Sequence, residues 1–489
     1  MSKSTTTKSL LATFGAVLAL AGCGNGADRV ASPGEGAFPP PPATTPPPPT
    51  TPPPTTPPPT SGPAVDCPSG FTNIGIVANN TLRACRLPEL IVGNLVVPKR
   101  AGTVYAITGK TQVGEDMGGN AQAPTAGARK GTLTIDPGVK LFGSAGADFL
   151  VVNRGSEIYA QGTATEPVVF TSKQSVEGQT STDSIGQWGG VVILGRAPIS
   201  ACPGTTVSGT PECQAQVEGT NAFYGGNAPR DNSGVMKYVR VMHSGFEIAP
   251  NNELNGITLA GVGDGTVFEY VQVHNSSDDG IEWFGGTVNG RYVVLTGNDD
   301  DSLDTDTGWN GALQFGIVMQ RANGGDRMNE WSAIRREPYS RPKVANFTYI
   351  GRAGGGAAIM LNQGTQASFY NSVLTRPTGG SGDGAICLAI ADDNTKGTFH
   401  SVYMSCPTAF KDARAQADFQ AGSNNTANGT STLSALFVNG ANENAVPAYA
   451  NLRSASPYFQ QVDYIGGVRN ANDNWWKGWT CGLTADAGC

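Results

Sequence analysis

The sequence predicts an all-β chain, a parallel β-helix or solenoid carried behind a disordered Pro/Thr-rich stalk. Three observations lead there. From about residue 131 onward short β-branched runs alternate with Gly, Asp, Asn and Pro, as in "GTLTIDPGVKLFGSAGADFLVVNRGSEIYAQ". No amphipathic helical segment of ten or more residues interrupts them. A tyrosine-led motif then recurs at a spacing in the low to middle twenties, which suits one coil of a solenoid and not the strands of a sandwich.

The N-terminus is read first because it is processed away. Lys3 and Lys8 lead into "LLATFGAVLAL", too short to span a bilayer as a mature helix, and the run ends in "LAGC", Leu20 to Cys23. This resembles the lipobox of bacterial lipoproteins. The resemblance implies a signal peptide over 1–22 and an acylated Cys23; Gly24 in the second mature position implies the outer membrane, by similarity to enterobacterial lipoproteins. Several acyl chains on one Cys suffice for stable anchoring. An ordinary signal peptide with an incidental Cys is the alternative.

Residues 23–63 are the linker. Pro39 to Pro63 is almost all Pro and Thr, and proline fixes φ and lacks a donor, so only extended polyproline II is open to it. At about 3.1 Å per residue it reaches on the order of 80 Å. It serves either as a semi-rigid stalk or as a spacer without a length requirement.

The chain has nine Cys; without Cys23, eight remain, an even number that implies disulfides in an exported protein. They fall into four close pairs: Cys67–Cys85, Cys202–Cys213, Cys387–Cys406 and Cys481–Cys489. No CxxC occurs and there are three His, which argues against structural zinc, a redox dithiol or c-type haem. A formal charge of −7 offers no basic face, so nucleic acid is excluded as a partner. The expected divisions are an N-terminal cap region over 64–130, the β-helix over 131–450 and a C-terminal cap region over 451–489. A solenoid lets so long a chain avoid one oversized core, because each coil buries its face against its neighbours.

The repeat sets the register. "YVRV" at Tyr238, "YVQV" at Tyr270 and "YVVL" at Tyr292 align, the first interval being longer by an insertion near "EIAPNNELN". "NFTYIGR", "YNSVLTR" and "FHSVYMSC" follow at related spacings. "GSEIYAQGTATEPVVFTS" resembles the opening coils of right-handed β-helix surface proteins. The run from "QWGGVVILGRAPI" through "NDDDSLDTDTGWNGALQFG" is similar to a family of exported, often lipid-anchored bacterial proteins, over most of residues 130–380. The resemblance implies a right-handed coil and adds little about activity.

In that register Asp278 lies over Asp300, Asp279 over Asp301, Ile281 over Leu303 and Glu282 over Asp304, with Asp306 on the face of Asp304. Carboxylates stacked about 4.8 Å apart repel by about 3 kcal/mol at an effective dielectric near 20. Three offsets are open. Ca²⁺ is one, held by Asp278, Asp279, Glu282, Asp300, Asp301, Asp304 and Asp306 with Asn275, Asn298 and backbone carbonyls. Acid catalysis through Asp279, Glu282, Asp301 and Asp304 is the second. Solvated turn chemistry, with Asp and Asn bonding backbone amides, is the third.

Pectate-lyase-like β-helices join acid-bound Ca²⁺ to a proton-abstracting base, for which Arg291, Arg321, Arg327, Arg335 and Arg336 are candidates. The Gly-His-Gly and Arg-Ile-Lys motifs of polygalacturonase-like β-helices are absent. His274 fits a turn or stacking role better than proton transfer. Trp309, between Gly308 and Asn310, is the expected surface ring for a sugar, with Arg291 beside it, whereas Trp283 is expected inside; the tail tryptophans Trp475, Trp476 and Trp479 are expected to cap the open end. The expected function is a surface-anchored outer-membrane lipoprotein that binds or structures, calcium-stabilised and glycan-binding. A calcium-dependent polysaccharide lyase or glycoside hydrolase is the alternative, so enzymatic activity is left open, and an accessory lipoprotein of an outer-membrane receptor is a third.

Overall fold

A computed structural model describes residues 62–249, 252–483 and 489. The leader over 1–22, the lipidated Cys23 and the linker as far as residue 61 lie outside the described residues. No described helix is long and apolar enough to cross a membrane.

The chain winds as a parallel β-helix, made of a 15-stranded and an 11-stranded sheet. In the longer sheet Val168, Val239, Val271 and Val293 stand in register on successive strands. In the shorter one Ile257, Ile281, Leu303, Asn329, Ile359 and Leu388 do the same. Every apolar residue of these two columns is 2 % exposed or less, so each contributes about 1.5–3 kcal/mol of burial. One antiparallel pair, Thr72–Val77 with Leu82–Arg86, opens the fold. The parallel ladders run from Leu82–Arg86 to Thr408–Phe410, so they start before and stop before the expected 131–450.

The repeated tyrosines mark a bend in each long strand. Tyr238, Tyr270, Tyr292, Phe315, Asn346, Asn371 and Ser401 all adopt positive φ, between 47° and 64°. A left-handed non-glycine residue costs about 1–2 kcal/mol. Stacking offsets that cost: the rings of Tyr238 and Tyr270 lie 4.3 Å apart, as do those of Tyr270 and Tyr292, and Phe315 follows at 5.1 Å.

The four disulfides join the expected pairs. The expectation for the tail is corrected. The last coil is covered by the helix Ala413–Gln420, N-capped by Asp412, whose Phe419 packs on Phe399 and Phe410. The segment after it runs back along the long sheet. Tyr449 stacks on His400, Gln460 bonds Gln314, Trp475 meets Tyr292, and Trp479 meets Tyr270 and Tyr238. The tail tryptophans therefore seal a flank and not an end.

Candidate functional site

The acids sit on the outer face of the shorter sheet and in the turns that feed it. Strands Ile281–Phe284, Leu303–Asp306 and Asn329–Trp331 pair in parallel, which sets Glu282, Asp304 and Glu330 in one outward column. Alternation buries Ile281, Trp283, Leu303, Thr305 and Trp331 on the inner side. Asp306 flanks the column, and Asp279 and Asp301 enter it from the turns.

Turn chemistry accounts for part of this cluster. Asp279 Oδ1 accepts the backbone N–H of Asp301 at 3.0 Å, Asp301 Oδ1 accepts that of Arg327 at 2.6 Å, and Asp326 Oδ1 accepts that of Gly356 at 2.6 Å. Each acid thus ties its own coil to the next. Glu282 accepts Asn255 Nδ2 at 2.7 Å. The Arg327 Nη1 lies 2.5 Å from both Asp326 and Glu330 and 3.9 Å from Asp301.

Two buried carboxylate oxygens of the cluster have no such partner. Asp304 Oδ1 and Asp306 Oδ1 are buried without a hydrogen bond. Three trios, Asp278/Asp279/Asp300, Asp279/Asp301/Asp304 and Asp300/Asp301/Asp326, each bring oxygens within 4.8 Å of one another. Two ligands of one Ca²⁺ at about 2.4 Å are at most about 4.8 Å apart, so each trio can close on a single hard cation. Burial, and then the neighbouring carboxylates, hold Asp279, Glu282, Asp301 and Asp304 well above the usual carboxylate range. The same causes push Asp278 up to about 8, and Asp300 and Asp306 also rise, in Asp306 by burial. Against burial, the carboxylates around Arg327 keep its guanidinium firmly protonated.

The structure brings the seven expected acids together and adds others. Glu330 follows the same motif, "MNEW" under "GIEW", and was legible at a longer spacing. Glu218 and Glu253 come from insertions outside the repeat, which gave no signal for them. Burial, then Glu253 and Asp306, raise Glu218 to about 7.

Two expected ligand contacts are corrected. Trp309 is fully buried, stacked on Trp283 at 4.8 Å with its Nε1 donating to the Val288 carbonyl. Thr305, in register between Trp283 and Trp331, is small enough to leave the volume that this ring fills. Arg291 is covered by the tail, its guanidinium 4.0 Å from the Tyr458 ring and bonded to the Tyr458 carbonyl. Of the other four candidate arginines Arg327 alone reaches the acid column: Arg321 pairs with Asp299, Arg335 with Asp392, and Arg336 binds the Cys202 and Thr206 carbonyls. His274 bonds Thr296 and no acid.

A family model described as a pectate-lyase like beta helix domain matches residues 103–480. No curated protein and no solved structure matches the chain.

Proposed function

The chain belongs to the pectate-lyase-like β-helix domain family, and from that premise we propose that it is a non-catalytic binding module. In this reading it is lipid-anchored at the outer membrane through Cys23, its acid column holds Ca²⁺, and the bound ion receives the carboxylates of an acidic polysaccharide. The observation that carries the reading is the Asp279/Asp301/Asp304 trio, whose oxygens lie within 4.8 Å while Asp304 Oδ1 is buried without a partner. A buried carboxylate cluster must take up protons or a cation, and an outward-facing Ca²⁺ retains coordination positions for ligand oxygens.

A polysaccharide lyase is the second reading, favoured by the contact of Arg327 with Glu330 and Asp301. Its weakness is that the surrounding carboxylates strengthen the hold of Arg327 on its proton, whereas a base must give it up.

The test incubates the purified protein with acidic and neutral polysaccharides, with and without Ca²⁺, and scores retained protein and new reducing ends. Ca²⁺-dependent retention on an acidic polymer without cleavage is the expected result. New ends that vanish in Asp301→Asn and Asp304→Asn would replace the binding module by an enzyme. Retention indifferent to Ca²⁺ would remove the ion from the mechanism.

A further inference from the structure

The outer face of the shorter sheet carries a second feature, away from the acids. Gln112, Val151, Val192, Thr258 and Glu282 stand in register on successive coils, so one outward column runs from the strand Lys110–Val113 to the acids, over about 19 Å at about 4.8 Å per coil. Between its ends the insertion closed by Cys202–Cys213 lies over Val151 and Val192 and buries both. The insertion's hairpin, Ala215–Gln216 with Phe223–Tyr224, forms a ridge with two different sides. Tyr224, 2 % exposed, packs on Phe284 toward the acids. Asn221 and Phe223 line a groove of about 410 Å³ on the far side.

The floor of the groove is Gln112, turned outward between the buried Thr111 and Val113, with Asn153 from the next coil. Lys110, Asp116 and Asn221 complete the polar lining. Asn153 is 3 % exposed, and its Nδ2 donates to the Gly114 carbonyl at 2.7 Å, which leaves Oδ1 without a protein donor among the described residues. Gln112 accepts Asn153 Nδ2 at 3.4 Å through Oε1, and Asn221 accepts Lys110 Nζ at 2.9 Å through Oδ1, so the NH₂ groups of both amides have no protein acceptor among the described residues. Asp116 is paired with Arg154 at 2.5 Å. The groove thus offers amide donors and an amide acceptor side by side.

Phe223 is the apolar part. Its ring is 38 % exposed, outside the apolar cluster that Tyr224 joins beneath the insertion. Turning outward gives up part of the roughly 1.5–3 kcal/mol that full burial of such a side chain contributes. A ring face beside free amides matches a sugar, whose C–H face stacks on the ring while its hydroxyls both give and take hydrogen bonds. An anion calls for donors alone, and here Asn153 Oδ1 and the Asp116 carboxylate oppose it. The volume lies in the range of small-molecule sites.

We propose that this groove binds uncharged sugar units of a polysaccharide, with the Phe223 ring stacked on a sugar face and Gln112, Asn153 and Asn221 bonded to its hydroxyls. The site needs no cation and does not rest on the Ca²⁺ reading of the acids. The test runs the purified protein, in chelator, by native electrophoresis through gels containing galactomannan, xyloglucan, mixed-linkage β-glucan or dextran. At least one of these polymers is expected to retard it. Phe223→Ala, at a position already exposed, is expected to weaken that affinity at least about tenfold, and Phe223→Tyr, which keeps the ring, to stay within about threefold of wild type. Migration unchanged by every polymer, equal retardation of wild type and Phe223→Ala, or a loss in Phe223→Tyr as large as in Phe223→Ala would overturn the proposal. Because chelator is present throughout, none of these outcomes bears on the ion, which is judged by retention on the acidic polymer.

Discussion

Asp279 accepts the backbone N–H of Asp301 from the next coil at 3.0 Å, and Asp301 in turn accepts that of Arg327 at 2.6 Å. A carboxylate is more than this bond requires. An asparagine carbonyl would accept the same N–H, as Asn298 Oδ1 does for Ser276 at 3.2 Å. The surplus is charge, held in a place where burial and neighbours oppose it.

Asp279→Asn and Asp301→Asn therefore separate the two roles. Each keeps the turn acceptor and removes one carboxylate. If the acids serve a cation, Ca²⁺ affinity by titration calorimetry falls at least about tenfold in either variant, a loss of about 1.4 kcal/mol. In chelator the same variants are as stable as wild type or more so, because repulsion is relieved. Asp279→Ala also orphans the Asp301 N–H, which adds about 1–3 kcal/mol of destabilisation relative to Asp279→Asn in chelator and in Ca²⁺. Unchanged Ca²⁺ affinity in both Asn variants would leave turn chemistry alone.

The pH dependence of the metal-free protein follows from the direction of the shifts. Burial with neighbouring acids raises Asp278 to about 8 and Glu218 to about 7, so the folded chain holds more protons than the unfolded chain between about pH 4 and pH 8. These acids therefore lower stability as pH rises through that window, while His274, which burial lowers to about 3, works the other way up to about pH 6.5. In chelator the melting temperature is expected to drop by at least about 3 °C between pH 5 and pH 8, and saturating Ca²⁺ to remove most of the drop. A chelated protein that gains stability over that range would contradict the buried cluster.

Trp309 is a packing residue. Its ring stacks on Trp283 inside the coil, so Trp309→Ala should cost about 3–5 kcal/mol in denaturant melts. Polysaccharide retention measured on the fraction that remains folded should match wild type. Specific loss of retention with normal stability would restore the ring to a ligand surface.

The coil was legible because its signal is repetition. Tyr270 over Tyr292 and Glu282 over Asp304 give the register that the paired strands adopt. The conformation of those tyrosines was hidden, since a β-propensity residue in a Val-rich run reads as extended, whereas the stack holds it at positive φ. Trp309 was misplaced because Gly308 and Asn310 mark a turn without saying which side the next ring takes. Glu218 and Glu253 were invisible for a different reason: they reach the acids from insertions, and only tertiary folding brings them there. The tail was misread because it docks on the outward tyrosine stack and on the side-chain amides of Gln272 and Gln314, and a repeat carries no signal for what covers its outer face.

Those amides make the last prediction. Gln314 Oε1 accepts the Gln460 N–H at 2.7 Å while its Nε2 donates to the Gln460 carbonyl at 2.8 Å. Gln272 repeats the pattern with Cys481 at 2.9 and 2.7 Å. Each glutamine behaves as one residue of an edge strand and pairs with a passing backbone. Both are fully buried, so Gln314→Leu leaves the Gln460 N–H and C=O unsatisfied against an apolar side chain. The cost should be about 2–4 kcal/mol, confined to the tail. Hydrogen exchange should show it as lost protection around residue 460, with amides of the strands Val267–His274 and Gly290–Thr296 still protected. If those strands open together with the tail, the flank and the coil form one cooperative unit, and the tail is as much a part of the solenoid as its own coils.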